Sequence, residues 1–250
     1  QWCHHHNFVY EQINHPSLNQ FHLPGIAQVR MPMVLEALIS YLRQNNVTLL
    51  NNTTVHDYQL NDNKLVAVNT SSGKIYADHI LSATGAWLPE IAGSNQKIRV
   101  PEINPIKGQV IAIQTIPGLL NHIIYKDGHY LIPRKDGLIL AGSTLENVGY
   151  NKLTTDSARN ALWSKSLSIL PELSEYTITH HWAGLRPGSP KNIPTIGPHP
   201  DIKGLYLNAG HFRYGVAMAP KSAHIISQWI LNNGSSLSED ERSYVNNNFS

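Results

Sequence analysis

The 250-residue sequence holds a single cysteine. Cys3 cannot close an intramolecular disulfide, which excludes a disulfide-stapled fold and agrees with a reducing, cytoplasmic location. Charge is scarce as well: Asp, Glu, Lys and Arg make up 14% of the residues, against roughly 25% in an average soluble protein, so a disordered polyelectrolyte is excluded. The 19 Lys and Arg and 17 Asp and Glu leave a formal charge of +2. No basic run forms a stripe that could follow phosphates, so nucleic acid is not an expected partner. Long apolar runs are missing too. Each is broken by Gly, Pro, Asn or Lys within about ten residues, short of the roughly 20 that a membrane span needs. The opening Gln1 to His6 has no initiator Met, no charged n-region and no apolar h-region, so it does not read as a signal peptide, and the chain reads as starting within a longer protein. His4, His5 and His6 lack carboxylates at ligand spacing and read as solvated polar residues, so no metal site is expected. Hydrophobic residues at 41% are enough for a folded, soluble protein of one large domain or two modest ones.

What is present reads as alternating helices and strands. Apolar residues Val34, Leu35, Leu38, Ile39 and Leu42 behind Pro32 predict a helix over 32–44, ended by Asn45-Asn46. Short β-rich runs follow at 47–50, 53–60, 64–69, 74–76 and 79–83, separated by polar turns. Strands are expected again at 110–114, 122–125, 130–133 and 137–142, with Asp127-Gly128 as a hairpin signal. A helix is predicted over 155–170, stopped by Pro171. A strand follows over 176–182, then a Pro-rich coil from Arg186 to Pro200. The last strand, 204–208, feeds a helix carrying Val216, Ala219, Ala223, Ile226 and Ile230 on one face.

Two segments have the chemistry of a site. Gly210 to Gly215 joins a strand end to a helix N-terminus, whose free amides favour negative charge; an ordinary strand-to-helix turn reads equally well. Arg186 stands in Trp182-Ala183-Gly184-Leu185-Arg186-Pro187-Gly188. A guanidinium among apolar residues needs an anion, either a bound carboxylate or, more commonly, an internal Asp or Glu.

Residues 181–220, HWAGLRPGSPKNIPTIGPHPDIKGLYLNAGHFRYGVAMAP, resemble the C-terminal region of the glycine oxidases, FAD-dependent flavoproteins of the D-amino acid oxidase superfamily associated with thiamine biosynthesis. The segments HILSATGAWL at 79–88, PIKGQVIAI at 105–113 and HYLIPRKDGLILAGS at 129–143 resemble further parts of the family in the same order, so that about 200 of the 250 residues are covered. The resemblance implies that Arg186 pairs with the substrate carboxylate and that Tyr130 stands beside it. Arg213 becomes a second active-site Arg. It further implies that backbone from Gly210, His211, Phe212, Arg213, Tyr214, Gly215, Val216 and Ala217 meets the flavin ring, that Val55 meets the adenine, and that Ala83, Thr84 and Gly85 form a close-approach turn. Trp87 reads as packing. Tyr214 departs from the family, which has Asn there.

A larger departure is that no two of the 17 glycines are separated by one residue. The G-x-G-x-x-G cradle for the FAD pyrophosphate is therefore absent, and weak FAD binding by this chain alone is expected. The implied fold is α/β, with mixed α+β character. Residues 22–95 with 190–250 form part of a doubly wound FAD-binding domain, and 1–21 with 96–189 form a substrate domain on a mostly antiparallel sheet. The implied activity is oxidation of a small amino acid (glycine, sarcosine or a short D-amino acid) to its imine, with dioxygen as acceptor and peroxide as product. A flavin-free, non-catalytic remnant and another amine oxidase or dehydrogenase of the superfamily are the alternatives. A homo-oligomer is compatible with the resemblance.

Overall fold

The computed structural model describes residues 5, 9–15, 18–93 and 98–245, with side chains left out at 13–15, 18–20, 92 and 93. Cys3, His4, His6 and the Asn-rich tail at 246–248 lie outside the described residues. The chain divides into two units, residues 1–52 and 53–250.

In the first unit, β1 (Glu11–His15) and β2 (Leu18–His22) pair antiparallel, with Glu11 opposite His22. Helix α1 (Met31–Gln44) starts at an extended Arg30, carries Pro32 in its first turn and ends at Asn45. Pro fits there because the first-turn amides have no intrahelical partner. The strand expected at 47–50 is not formed; its apolar residues have no ladder to join. The hairpin of β1 and β2 was not legible in the pattern.

The second unit contains three sheets. β3 (Val55–Asn61), β4 (Lys64–Thr70) and β5 (Gly73–Tyr76) make an antiparallel meander. β6 (Ile80–Ser82) runs parallel to β13 (Leu205–Ala209), which pairs antiparallel with β12 (Thr195–Pro198). The five-stranded sheet has the order β11 (Ile178–Gly188), β7 (Asn104–Gln114), β10 (Leu138–Gly142), β9 (His129–Pro133), β8 (Ile124–Lys126), all neighbours antiparallel. The β8–β9 turn has Asp127 and Gly128 both at positive φ, the geometry of a primed hairpin turn. A short helix α2 (Leu88–Gly93) follows β6, and a five-residue α5 (Glu239–Ser243), closed by a Ser238–Glu241 capping box, ends the described chain.

Two expectations need correction. The coil expected over 186–200 holds the end of β11 and all of β12, because both are edge strands where Pro is tolerated. Pro187 lies opposite Pro105 in the ladder, and its carbonyl accepts from the Phe212 amide outside the ladder. β7 also begins six residues before the expected 110.

Strand alternation gives the five-stranded sheet two faces. One is covered by α3 (Asp156–Ile169), whose Leu162 packs among Ile111, Ile113, Leu131, Ile139 and Ala141. Thr155 caps α3 by accepting from the Ala158 amide at 3.3 Å. α4 (Gly215–Asn232) covers the small sheet with Ile225 and Ile226 against Ile196 and Tyr206.

Two buried histidines sit in these layers. His129 Nε2 is 3.1 Å from Ser166 Oγ on α3. His199 Nδ1 accepts from the amides of Asp201 and Ile202 at 3.1 and 3.2 Å, which leaves Nε2–H to donate to the Arg99 carbonyl. Burial pushes both below the ordinary 6.5. The unfolded chain therefore takes up protons at a higher pH than the folded one, and their contribution to stability is present above 6.5 and lost as the pH falls through their folded values. Urea midpoints are expected to fall on acidification below about 6.5, with a shallower slope in the His129→Gln, His199→Gln double variant; an unchanged slope contradicts this.

Candidate active site

The open face of the large sheet collects the residues singled out in the sequence. In the β11–β7 ladder Trp182 lies opposite Val110, Gly184 opposite Gly108 and Arg186 opposite Ile106, so Trp182, Gly184 and Arg186 share the face that α3 does not cover. Gly142 lies opposite Val110 on one side and Tyr130 on the other, which brings Tyr130 onto the same face two strands away.

Two glycines make this face usable. A Cβ on Gly108 would stand 2.1 Å from Arg186 Nη1, and one on Gly142 would stand 2.6 Å from the Tyr130 hydroxyl. The guanidinium and the phenol therefore lie directly over bare backbone. Arg186 Nη2 donates to Ser143 Oγ at 2.8 Å and Nη1 to the Thr144 carbonyl at 3.3 Å. Both acceptors are neutral. Among the described residues no carboxylate pairs with Arg186, so the commoner of the two readings of its anion, an internal Asp or Glu, is not realised there. Burial lowers the Arg186 pKa, with Tyr130 opposing and the positive charge of Arg213 adding to the effect. The group stays charged at neutral pH, because a guanidinium titrates above about 12, and it keeps donors that the two contacts do not use.

Arg213 comes from the turn between β13 and α4. Gly210 and Phe212 both adopt positive φ, and glycine suits the first position because a Cβ there would meet Ser189 Cβ at 3.0 Å. The Phe212 amide donates to the Pro187 carbonyl at 3.0 Å, and Ser189 Oγ donates to the Gly210 carbonyl at 2.7 Å, tying the turn to the end of β11. His211 Nε2 is 2.9 Å from the buried Ser222 Oγ on α4, and burial holds this imidazole below its ordinary value. Arg213 stacks on Phe212, 5.4 Å from the ring centroid. Tyr214, Val216 and Ala217 are exposed at the start of α4. Tyr214 offers no side-chain cap, and no acid occupies the first turn, so the positive end of the helix is left uncompensated.

The second strand end lies beside this turn. Leu207 is opposite Ser82 in the parallel β13–β6 pair, so Ala83, Thr84 and Gly85 leave the sheet at the same end as Gly210. Ser82 Oγ bridges the Tyr58 hydroxyl at 2.8 Å and Thr84 Oγ1 at 3.2 Å. Ala83 is exposed, and Gly85, at φ +57, has open space where a Cβ would stand. Trp87 packs against Tyr150, ring centroids 6.2 Å apart. Val55 opens β3 in the meander, apart from the parallel pair. No group of His, Cys, Asp and Glu suited to a metal occurs among the described residues, and no described helix is long and apolar enough to cross a membrane.

Sequence reasoning missed Gly108, Gly142, Ser143 and Thr144. The glycines carried the available signal, since glycine within a strand marks a close approach. Gly108→Ala displaces only the flexible end of Arg186, so stability is expected to change by less than roughly 1 kcal/mol. Acetate binding is expected to weaken about tenfold, the equivalent of one charged hydrogen bond; urea unfolding and an NMR titration check both.

The likeness to known proteins is extensive. The chain is 40% identical over 207 residues to the glycine oxidase of Pseudomonas aeruginosa, covering 82% of this chain and 56% of that protein. It is 30% identical over 212 residues to the bifunctional protein ThiO/ThiG of Trichormus variabilis, 83% of this chain and 31% of that one. The crystal structure of glycine oxidase from Bacillus cereus superposes with a TM-score of 0.74 at 28% identity, over 81% of this chain and 55% of that chain. The chain thus spans little more than half the length of the glycine oxidases it matches. The family model of DAO, FAD dependent oxidoreductase, matches residues 11–229, and the chain belongs to that family.

Proposed function

We propose that this chain supplies the substrate clamp and the flavin-facing residues of a glycine oxidase-like enzyme of thiamine biosynthesis, which oxidises a small amino acid to its imine. The observation that carries the reading is the half-buried Arg186 guanidinium, whose partners among the described residues are neutral, opened toward the face that Tyr130 shares. A substrate carboxylate supplies the missing anion through a two-bond pair. Arg213 adds positive charge beside it, and the Tyr130 hydroxyl offers a further donor. With the carboxylate fixed, the Cα–H bonds have few orientations left.

The residues present suit the ring end of FAD. The exposed Ala83, open space over Gly85 and the uncapped α4 N-terminus are what an anionic ring edge needs. Residues 210–217 are the ones proposed to hold the ring, with 83–85 as the close-approach turn and Val55 at the adenine; a G-x-G pair for the phosphates is not in this sequence. When bound, FAD supplies the hydride acceptor that dioxygen reoxidises to give peroxide. The chain need not supply a base if the amine arrives neutral: His211 is engaged by Ser222, and His129 and His199 are buried elsewhere. Tyr214, larger than the family's Asn and exposed at the turn, is proposed to narrow the approach and favour glycine and sarcosine over branched D-amino acids. The domain assignment proposed is that 1–21 and 96–189 form the substrate part, while 22–95 and 190–250 serve FAD.

The test joins this chain to a G-x-G-x-x-G segment of the glycine oxidase type and follows anaerobic flavin bleaching by glycine. Arg186→Ala is expected to lower kcat/KM about ten- to 150-fold, the equivalent of roughly 1.5–3 kcal/mol for charged hydrogen bonds, mainly through KM. Arg186→Lys recovers little, because an ammonium cannot reproduce the planar fork. A Lys variant equal to wild type contradicts the clamp.

A further inference from the structure

On the covered side of the sheet, behind Arg186, lies an ionic network, built on a buried Lys107 and a partly buried Glu146, that the reaction does not touch. Lys107 and Gln109 flank Gly108 on β7 and so point away from Arg186. The Lys107 side chain is 3% exposed, and its Nζ lies 2.8 Å from Glu146 Oε2 and donates to the Leu153 carbonyl at 3.2 Å. Lys107 and Glu146 also exchange both backbone hydrogen bonds, at 2.8 and 2.9 Å. The other Glu146 oxygen accepts from Gln109 Nε2 at 2.8 Å and from Thr144 Oγ1 at 2.5 Å. Gln109 is fully buried; its amide donates to Thr144 Oγ1 at 2.8 Å and its carbonyl accepts from the Thr144 amide at 3.2 Å.

Every one of these bonds ends on β7 or on the segment 144–155. Thr144 is held at its amide, its hydroxyl and, through Glu146, from the next residue but one; the atom left over is its carbonyl, which faces Arg186 Nη1. A buried ion pair is a weak source of net stability compared with apolar residues of the same size, whereas a fully satisfied one fixes geometry.

We infer that Lys107, Gln109, Thr144 and Glu146 are positioning residues: they set the Ser143–Thr144 segment that holds the Arg186 guanidinium in the attitude that receives a carboxylate. The inference rests on the clamp reading of Arg186. Lys107 and Glu146 touch no substrate atom in it; they act through Thr144. Burial raises the Glu146 pKa, but the hydrogen bonds from Lys107, Thr144 and Gln109 outweigh it and hold the carboxyl below its ordinary value, so Glu146 is a carboxylate throughout the neutral range.

The experiment uses the whole chain, labelled with 15N, and follows the Arg186 Nε–H cross-peak with and without glycolate. In Thr144→Val and Glu146→Gln the peak is expected to move or broaden before any ligand is added, and the glycolate dissociation constant to rise at least fivefold. Thr144→Ser, which keeps the hydroxyl, is expected to restore both to within twofold. Leu162→Ala, a core truncation under the same sheet, lowers stability and is expected to leave the peak and the affinity unchanged. The inference is overturned if Thr144→Val and Glu146→Gln match wild type while Arg186→Ala loses glycolate, an outcome that leaves the clamp standing. It is overturned equally if Leu162→Ala moves the peak as far as they do. If Arg186→Ala binds glycolate as wild type does, the clamp reading fails and the positioning role with it.

Discussion

A guanidinium withdrawn from water without an anion is costly, because its charge loses hydration and receives only dipoles in return. Arg186 is in that position: half-buried over Gly108, with a serine hydroxyl and a threonine carbonyl as its acceptors. The surrounding structure is arranged to hold it there. Glycine at 108 and 142 clears the sheet surface beneath Arg186 and Tyr130, and the turn 210–214 is fastened to the end of the same strand through Pro187 and Ser189. In the proposed function this uncompensated charge is the binding site for a carboxylate.

The division of labour between the two faces of the large sheet follows from strand alternation. On one face Ile111, Ile113, Leu131 and Ile139 enter the core under α3. On the other, the row Trp182, Val110, Gly142, Tyr130 is not covered by α3, and Tyr130 lies over Gly142. The Lys107–Glu146 network lies on the covered side, yet it is joined to the open side through Thr144, whose hydroxyl faces one and whose carbonyl serves the other. The two faces thus meet at one residue of β10's outgoing loop.

Helices were legible in the sequence because their apolar spacing and their stops agree: α1 behind Pro32, α3 between Thr155 and Pro171, α4 by its stripe. The β8–β9 hairpin was legible from Asp127-Gly128. β12 and the end of β11 were not, since proline reads as a breaker and only the sheet order shows that these are edges. The family resemblance named Arg186, Tyr130 and Arg213 as candidates, and the three stand together electrostatically. Whether an internal acid pairs with Arg186 was not legible, because that is a tertiary fact. Gly108 was invisible for the same reason; its role depends on a side chain that crosses from the neighbouring strand.

The most direct measurement of the central claim is a crystal structure of the chain soaked with glycolate. The account requires the carboxylate on the open face of the sheet, both of its oxygens accepting from Arg186 at hydrogen-bond distance and the Tyr130 hydroxyl beside it. Glycolate bound elsewhere, with Arg186 still spanning only Ser143 and Thr144 at saturating ligand, contradicts it.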